Sequence, residues 1–144
     1  MLVSEVLRGK GSAVVTLPPE APVESLIGLL AQHRIGAVIV SSDGVSVEAI
    51  VSERDVVRVL AADGPVALTA NIGSICTFNP VTTSPVDRVE SLMSVMTEGR
   101  FRHLPVVAGG KLVGIISIGD VVKARMTELE AEHEALTGYI TSGG

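Results

Sequence analysis

Two four-residue runs, Ser52-Glu53-Arg54-Asp55 and Ser117-Ile118-Gly119-Asp120, hold the side chains best placed to do chemistry in this chain. Each follows a short apolar stretch and precedes Val-Val. A serine followed three residues later by an acid is a helix-start signature. The serine oxygen accepts from the backbone N–H three residues on, and the acid complements the helix dipole. The same geometry suits a ligand. A strand running into a helix aims the helix's free N–H groups beyond the strand end, where a phosphate can sit. The hydroxyl adds a donor there, and a carboxylate one turn in is right for the paired hydroxyls of a ribose. Either run alone reads as a cap. The same run at the same junction twice favours a pair of nucleotide sites, and one residue can cap and bind at once.

The elements that must position these runs also occur twice. Residues 15–40 align with 81–106 at a constant offset of 66, pairing Val15-Thr16 with Val81-Thr82, Val23-Glu24-Ser25-Leu26 with Val89-Glu90-Ser91-Leu92, and Arg34 with Arg100. One residue is then lost, and the two Ser-x-x-Asp runs align at an offset of 65. The chain is therefore a tandem duplication. Val23, Leu26, Ile27 and Leu30 form the apolar stripe of an amphipathic helix, as do Val89, Leu92, Met93 and Met96. Ala37–Ser41 and Leu104–Ala108 suit buried strands, and Val47–Val51 and Leu112–Ile116 suit the returning ones. Asp43-Gly44 and Gly109-Gly110 read as two-residue hairpin turns. Val14-Val15 and Val81-Thr82 are short extended openings. The expected fold is α+β (α/β): two β-α-β-β-α repeats packed with pseudo-twofold symmetry, making two related clefts, followed by a long C-terminal helix. The expected division is 1–70 for the first repeat with its linker, 71–126 for the second, and 127–144 for a helical tail.

Composition narrows the function. Of 144 residues 47% are apolar but only 2% aromatic, so the core is aliphatic, and the scarcity of aromatics argues against stacking platforms for single-stranded nucleic acid. A net charge of −5 without a basic cluster argues against nucleic acid as a partner. No uncharged apolar run approaches the roughly 18 residues of a membrane span, and the N-terminus lacks a signal-peptide pattern. With Cys76 alone, no internal disulfide forms. The expected location is cytoplasmic. His33, His103 and His133 have no metal-ligand spacing, so no metal is expected. No nucleophile–base pair or phosphate-binding glycine loop suggests an enzyme.

The chain resembles a tandem pair of cystathionine-β-synthase (CBS) domains, a Bateman module, over about residues 3–126. The resemblance rests on Arg102-His103-Leu104-Pro105-Val106-Val107, on Gly110-Lys111-Leu112-Val113-Gly114-Ile115-Ile116-Ser117-Ile118-Gly119-Asp120, and on Gln32 to Ala37 and Ser52 to Asp55 in the first copy. Ala49 stands where the family motif has glycine. The resemblance implies a stand-alone regulatory module that senses an adenosine nucleotide, AMP foremost, with ATP, ADP or NAD(H) as alternatives. Asp120 and Ser117 would hold ribose and phosphate, Ile115 would line the adenine slot, and Arg102, beside His103, would reach phosphate. Ile35 and the backbone near Ser12 and Ala13 would come from the other copy. In the mirror site Asp55 and Ser52 would take ribose, with Phe101 and the backbone of Phe78–Val81 facing adenine. Gly36-Ala37 would leave that mirror site without a counterpart of Arg102-His103, and Arg54 would supply charge. Each side chain also has a plain reading, as surface cation, core residue or cap. The competing function is a structural homodimer whose Ser-x-x-Asp runs are only caps.

The resemblance further implies a homodimer through the helices around Val23–Leu30 and Val89–Met96, beside which Leu29 and Val95 add apolar surface, and a regulated protein of unknown identity. Val122, Met126, Leu129, His133, Leu136 and Ile140, spaced 4, 3, 4, 3, 4, form a heptad seam. That seam packs either on its own module or on another subunit.

Overall fold

The duplicated periodicity folds into duplicated elements. This computed structural model describes residues 1–11 and 13–143, with the side chain of Ser142 set aside. The first copy comprises β1 (Thr16–Leu17), α2 (Val23–His33), β2 (Ala37–Val40), β3 (Ala49–Ser52) and α3 (Glu53–Asp63), preceded by α1 (Val3–Lys10). Two 3₁₀ turns, Gly64–Thr69 and Ile72–Ser74, lead to β4 (Thr77–Phe78). The second copy comprises α4 (Val89–Gly99), β5 (His103–Ala108), β6 (Lys111–Ser117) and α5 (Ile118–Gly143). The α+β order is the expected one, except that the second opening strand is reduced to one parallel bridge, Thr83 to Val106. That bridge is the repeat equivalent of the Leu17–Val40 pair that joins β1 to β2.

The first sheet runs β1-β2-β3-β4 and the second β5-β6. The helices α2 and α4 stop at matched arginines in the left-handed region, Arg34 at φ 54° and Arg100 at φ 57°. This stop turns the chain directly into β2 and β5, whose first residues then lie between the copies. Gly109 and Gly110, both at positive φ, close β5 onto β6 as expected. Asp43-Gly44 does not form the expected two-residue turn. Residues 41–48 make a longer loop, because the Asp43 carboxylate accepts from the backbone N–H groups of Val45 and Ser46, both at 2.8 Å, and from two serine hydroxyls. These bonds hold that carboxylate well below its usual range. The loop's Val45 carbonyl then accepts from Leu112 of the second copy at 2.8 Å.

Two aliphatic cores result, one per copy, and the segment preceding each copy crosses to the other. Val3 and Leu7 of α1 are buried with Leu92, Met96, Leu104 and Ile116 of the second copy. Ile72, just before the second copy, is buried with Leu26, Val38 and Val51 of the first. Matching backbone bridges, Leu2–Arg88 and Asn71–Pro22, pin both crossings. α5 packs against α4 through Val121 and Ala124. Beyond them its apolar seam is open to solvent, with Leu129 48%, Leu136 59% and Ile140 63% exposed, so the seam does not pack on its own module. Among the described residues no helix is long and apolar enough to cross a membrane.

Candidate functional site: two clefts at the strand-to-helix junctions

Both Ser-x-x-Asp runs sit where a strand becomes a helix, β3 into α3 and β6 into α5. At the second junction the cap is reciprocal. The Ser117 N–H donates to Asp120 Oδ2 at 2.9 Å, and the Asp120 N–H donates to Ser117 Oγ at 3.1 Å. At the first, the Ser52 N–H and Oγ both donate to Asp55 Oδ2, at 2.8 and 3.1 Å. The first helical N–H of each helix is satisfied by the start of its own copy's inner strand: Glu53 donates to the Gly36 carbonyl, Ile118 to that of Arg102. The caps are therefore real, and each stands in the wall of a cavity.

The second-repeat cleft encloses about 540 Å³. Asp120, Ser117 and Ile115 line it from the second copy, and Ala13, Val14, Val15, Arg34, Ile35, Gly36 and Ala37 from the first, together with His33 and His103. The volume falls within the range of small-molecule sites. Lys10, at the end of α1, reaches in. Its Nζ lies 2.6 Å from Asp120 Oδ2 and donates to the Ile115 carbonyl at 3.1 Å. Burial pushes the Asp120 carboxyl up, but the hydrogen bonds from Lys10 and from the Ser117 N–H outweigh it and leave the group below its ordinary value.

The first-repeat cleft encloses about 160 Å³. Ile50, Ser52 and Asp55 take the places that Ile115, Ser117 and Asp120 hold opposite, and Arg100 and Phe101 take those of Arg34 and Ile35. Its other lining residues are Gly36, Glu53, Arg54, Arg58, Thr77, Arg102 and His103.

The structure thus gathers Ser117, Asp120, Ile115, Ile35, Ala13 and His103 in one cleft, and Ser52, Asp55, Arg54 and Phe101 in the other. Two expectations change. Arg102, expected beside Asp120, lines the Asp55 cleft instead, and of the small Gly36-Ala37 pair, expected to impoverish the Asp55 cleft, Gly36 lines both clefts and Ala37 the Asp120 cleft. The reason is the crossing of the chain after each left-handed arginine. It carries Phe101 to the opposite cleft, as expected, and Arg102 travels with it. Val81 lines neither cleft and is 43% exposed, with Thr77 standing at that wall instead. Ser12 lies outside the described residues.

Lys10, Arg34, Arg58 and Arg100 are lining residues that the sequence assigns to neither site, Arg34 and Arg100 standing out there only as a repeat match. Arg58 follows Arg54 at the i+4 spacing that puts two side chains on one helix face, which is a legible signal. Lys10 carries none, because it reaches Asp120 only through the crossing of α1. His103 lines both clefts. Burial lowers its basicity, and Arg102 lowers it further. It packs so closely on Gly36 that a Cβ there would stand 3.2 Å from His103 Cε1. Cys76 lines neither cleft. It is half-buried against the first core, and that burial pushes its thiol up, away from the reactive thiolate.

The CBS domain family model matches residues 3–62 and 72–127. A mitochondrial CBS domain-containing protein from Arabidopsis thaliana is 30% identical, over 98% of this chain and 72% of its own. Among solved structures, a CBS-domain containing protein from Agrobacterium tumefaciens is 44% identical, with a TM-score of 0.83 over 87% of this chain and 99% of its own. A CBS domain protein from Pyrobaculum aerophilum, complexed with AMP, is 31% identical, with a TM-score of 0.75 over 83% of this chain and 89% of its own. The doubled family match, the shared fold and the paired Ser-x-x-Asp clefts lead to one conclusion: the chain belongs to the CBS domain family, as a tandem CBS pair.

Proposed function

We propose that this chain is a regulatory module whose second-repeat cleft binds an adenosine nucleotide, AMP foremost, with ADP, ATP or NAD(H) as alternatives. The observation that carries the proposal is the 540 Å³ cleft in which Asp120, Ser117 and Ile115 face Ile35 and Ala13 from the other copy. In this reading the Asp120 carboxylate accepts from the ribose hydroxyls, and Ser117 and the start of α5 meet the phosphate side. Ile115 and Ile35 sandwich the adenine. The neighbour from Pyrobaculum aerophilum, complexed with AMP, supports this ligand class.

Lys10 gives the site an output. Its amine pairs with the Asp120 carboxylate. A ribose competing for that carboxylate frees the amine to pair with the ligand phosphate. Lys10 ends α1, which is seated in the second core through Val3 and Leu7, so a shift of the amine bears on the whole helix. Signalling then runs from cleft to α1 and on to a regulated protein, with no bond made or broken in the ligand. The proposed units along the chain are 1–70, 71–126 and the tail 127–144. The proposed assembly is a homodimer through the outer faces of α2 and α4, where Met93 and Val95 are exposed. The proposed compartment is the cytoplasm.

The test is mass spectrometry of small molecules released from freshly purified, denatured protein, followed by thermal melts with AMP, ADP, ATP and NAD(H). A ligand at a hundred times its Kd stabilises by about 2.7 kcal/mol, which raises the melting temperature by several degrees. Flat melts across the set refute the nucleotide and leave a structural homodimer in which the Ser-x-x-Asp runs act as caps alone.

A further inference from the structure

We propose that the exposed seam of α5 is an antiparallel contact with the same helix of a second copy, in the register that seats the partner's Leu136 over Gly119. The contact adds to the α2–α4 pairing proposed above and does not depend on a ligand in either cleft.

The surface is the first argument. Val122, Met126, Leu129, Leu136 and Ile140 follow one face of α5, and all are exposed, between 43% and 63%. Val121 and Ala124 of the same helix are buried in the second core, so the seam is a second apolar face and not the edge of that core. At the start of this face a largely apolar groove of about 520 Å³ opens beside Ile118, Gly119, Val122 and Met126. Gly119 stands seven residues before Met126, so it holds a seam position without a side chain. In helix pairs of this kind a side chain of one helix fills a hole between residues of the other. The seam therefore carries a hole at one end and unpartnered knobs at the other.

The spacing sets the register. When two copies of α5 run antiparallel with Met126 opposite the partner's Leu129, Val122 falls opposite the partner's His133 and Gly119 opposite the partner's Leu136. The large side chain thus meets the glycine hole, and by the twofold symmetry it does so at both ends. A parallel pair aligns each residue with its own copy. It leaves the groove at Gly119 unfilled and stacks His133 on His133.

Charge selects the same direction. Lys123 and Glu130 are seven residues apart on one flank of the seam, and both are exposed. Among the described residues, neither is in a salt bridge. The antiparallel register brings each Lys123 to the partner's Glu130, twice by symmetry. A parallel pair instead sets the acidic halves together, with Glu130, Glu132 and Glu134 beside their own copies. The cation that it offers to Glu130 is Arg125, which is already bonded to Glu128 at 2.7 Å.

The experiment is disulfide cross-linking of the full chain, with the link mapped by peptide mass spectrometry. A chain carrying both Gly119→Cys and Leu136→Cys is expected to form a covalent dimer through a 119–136 link. Within one helix these positions are about 25 Å apart, far beyond the roughly 7 Å between Cα atoms that a disulfide spans, so the link joins two copies. The nearest atom to a Cβ at Gly119 is Ser117 Oγ, at 3.6 Å, so the cysteine fits. Leu136→Cys alone is expected to stay uncross-linked, because the antiparallel register holds the two copies of position 136 apart. A second measurement needs no cysteine. Lys123→Glu is expected to weaken self-association about fivefold in light scattering, and Lys123→Glu with Glu130→Lys to restore it. The proposal is overturned if Leu136→Cys cross-links to itself, which is the parallel register. It is equally overturned if the 119–136 link is absent, whether or not the chains stay paired through α2 and α4, since the seam then belongs to some other occupant. A doubly exchanged chain that associates no better than Lys123→Glu overturns it as well.

Discussion

The two clefts are built from one repeated unit and differ in almost everything that touches a ligand. Each has a Ser-x-x-Asp cap at a strand-to-helix junction, an isoleucine two residues before the serine, and a left-handed arginine opposite. Around this shared frame, one cleft is roomy, largely apolar, and has its aspartate paired to Lys10. The other is small and crowded with arginines. The cap and its isoleucine come from within each copy, while the left-handed arginine crosses from the other copy, Ala37, Arg102 and Lys10 each reach one cleft from outside the copy that frames it, and Arg54 and Arg58 belong to the framing copy itself. A duplication can therefore keep its scaffold and let its sites diverge, because substitution at Ala37, Arg102 or Lys10 alters one cleft without touching the repeat that frames it.

The sharpest way to break this comparison is to remove the matched aspartates. Asp120→Ala is expected to weaken adenosine-nucleotide binding by about 100-fold, since ribose hydroxyls lose a charged acceptor and Lys10 loses its partner. Asp55→Ala is expected to leave that binding essentially intact. Equal losses in calorimetry would mean that the clefts are equivalent and the comparison is wrong.

Next in size is a packing difference at a matched pair of positions. Gly114 in β6 corresponds to Ala49 in β3. A Cβ at Gly114 would stand 2.8 Å from Leu7 Cδ2, whereas Ala49 is already accommodated, fully buried. Gly114→Val is expected to cost about 1–3 kcal/mol by overpacking against α1. Ala49→Gly is expected to cost only about 0.5–1 kcal/mol, mostly in backbone freedom. Denaturant melts of the two variants measure the difference. A tolerated valine would show that α1 is free to leave the second core.

His103 sharpens the comparison through pH, because it lines both clefts while its repeat counterpart is Ala37. Burial keeps its folded-state basicity below the ordinary value of 6.5. As pH falls below that value, the unfolded chain takes up a proton before the folded chain does. Stability contributed by neutral His103 is thus full above pH 6.5 and declines as pH falls toward its lowered folded value. His103→Gln should flatten that part of a stability–pH curve. An unchanged curve would show that His103 is solvated rather than wedged against Gly36.

The smallest expected effect concerns the tail. A chain ending near Met126 should still dimerise through α2 and α4, with weaker self-association than the full chain in light scattering. The exposed seam from Val122 to Ile140 is too short to hold a stable two-stranded coil alone. Complete loss of the dimer on truncation would move the interface to the tail.

Much of this molecule was legible in order along the chain. The 3.6-residue stripes at Val23–Leu30 and Val89–Met96, the glycine pair at 109–110 and the serine–aspartate spacing are all signals read within a few residues. The structure forms a helix, a turn or a cap at each. The loop at 41–48 departed from the expected turn because the Asp43 carboxylate found four donors that a tighter hairpin would not have offered.

The sequence by itself determined the duplication, the order of helices and strands, and the two caps, because each depends on side-chain periodicity or on partners three residues apart. Which cation faces which aspartate was decided only in three dimensions. Lys10 meets Asp120 across 110 positions, and Arg102 leaves its own copy's cleft for the other. Both outcomes follow from chain crossings between the copies. The first follows from the burial of Val3 and Leu7 of α1 in the second core, the second from the turn at left-handed Arg100 into β5; both are long-range arrangements that no local pattern records.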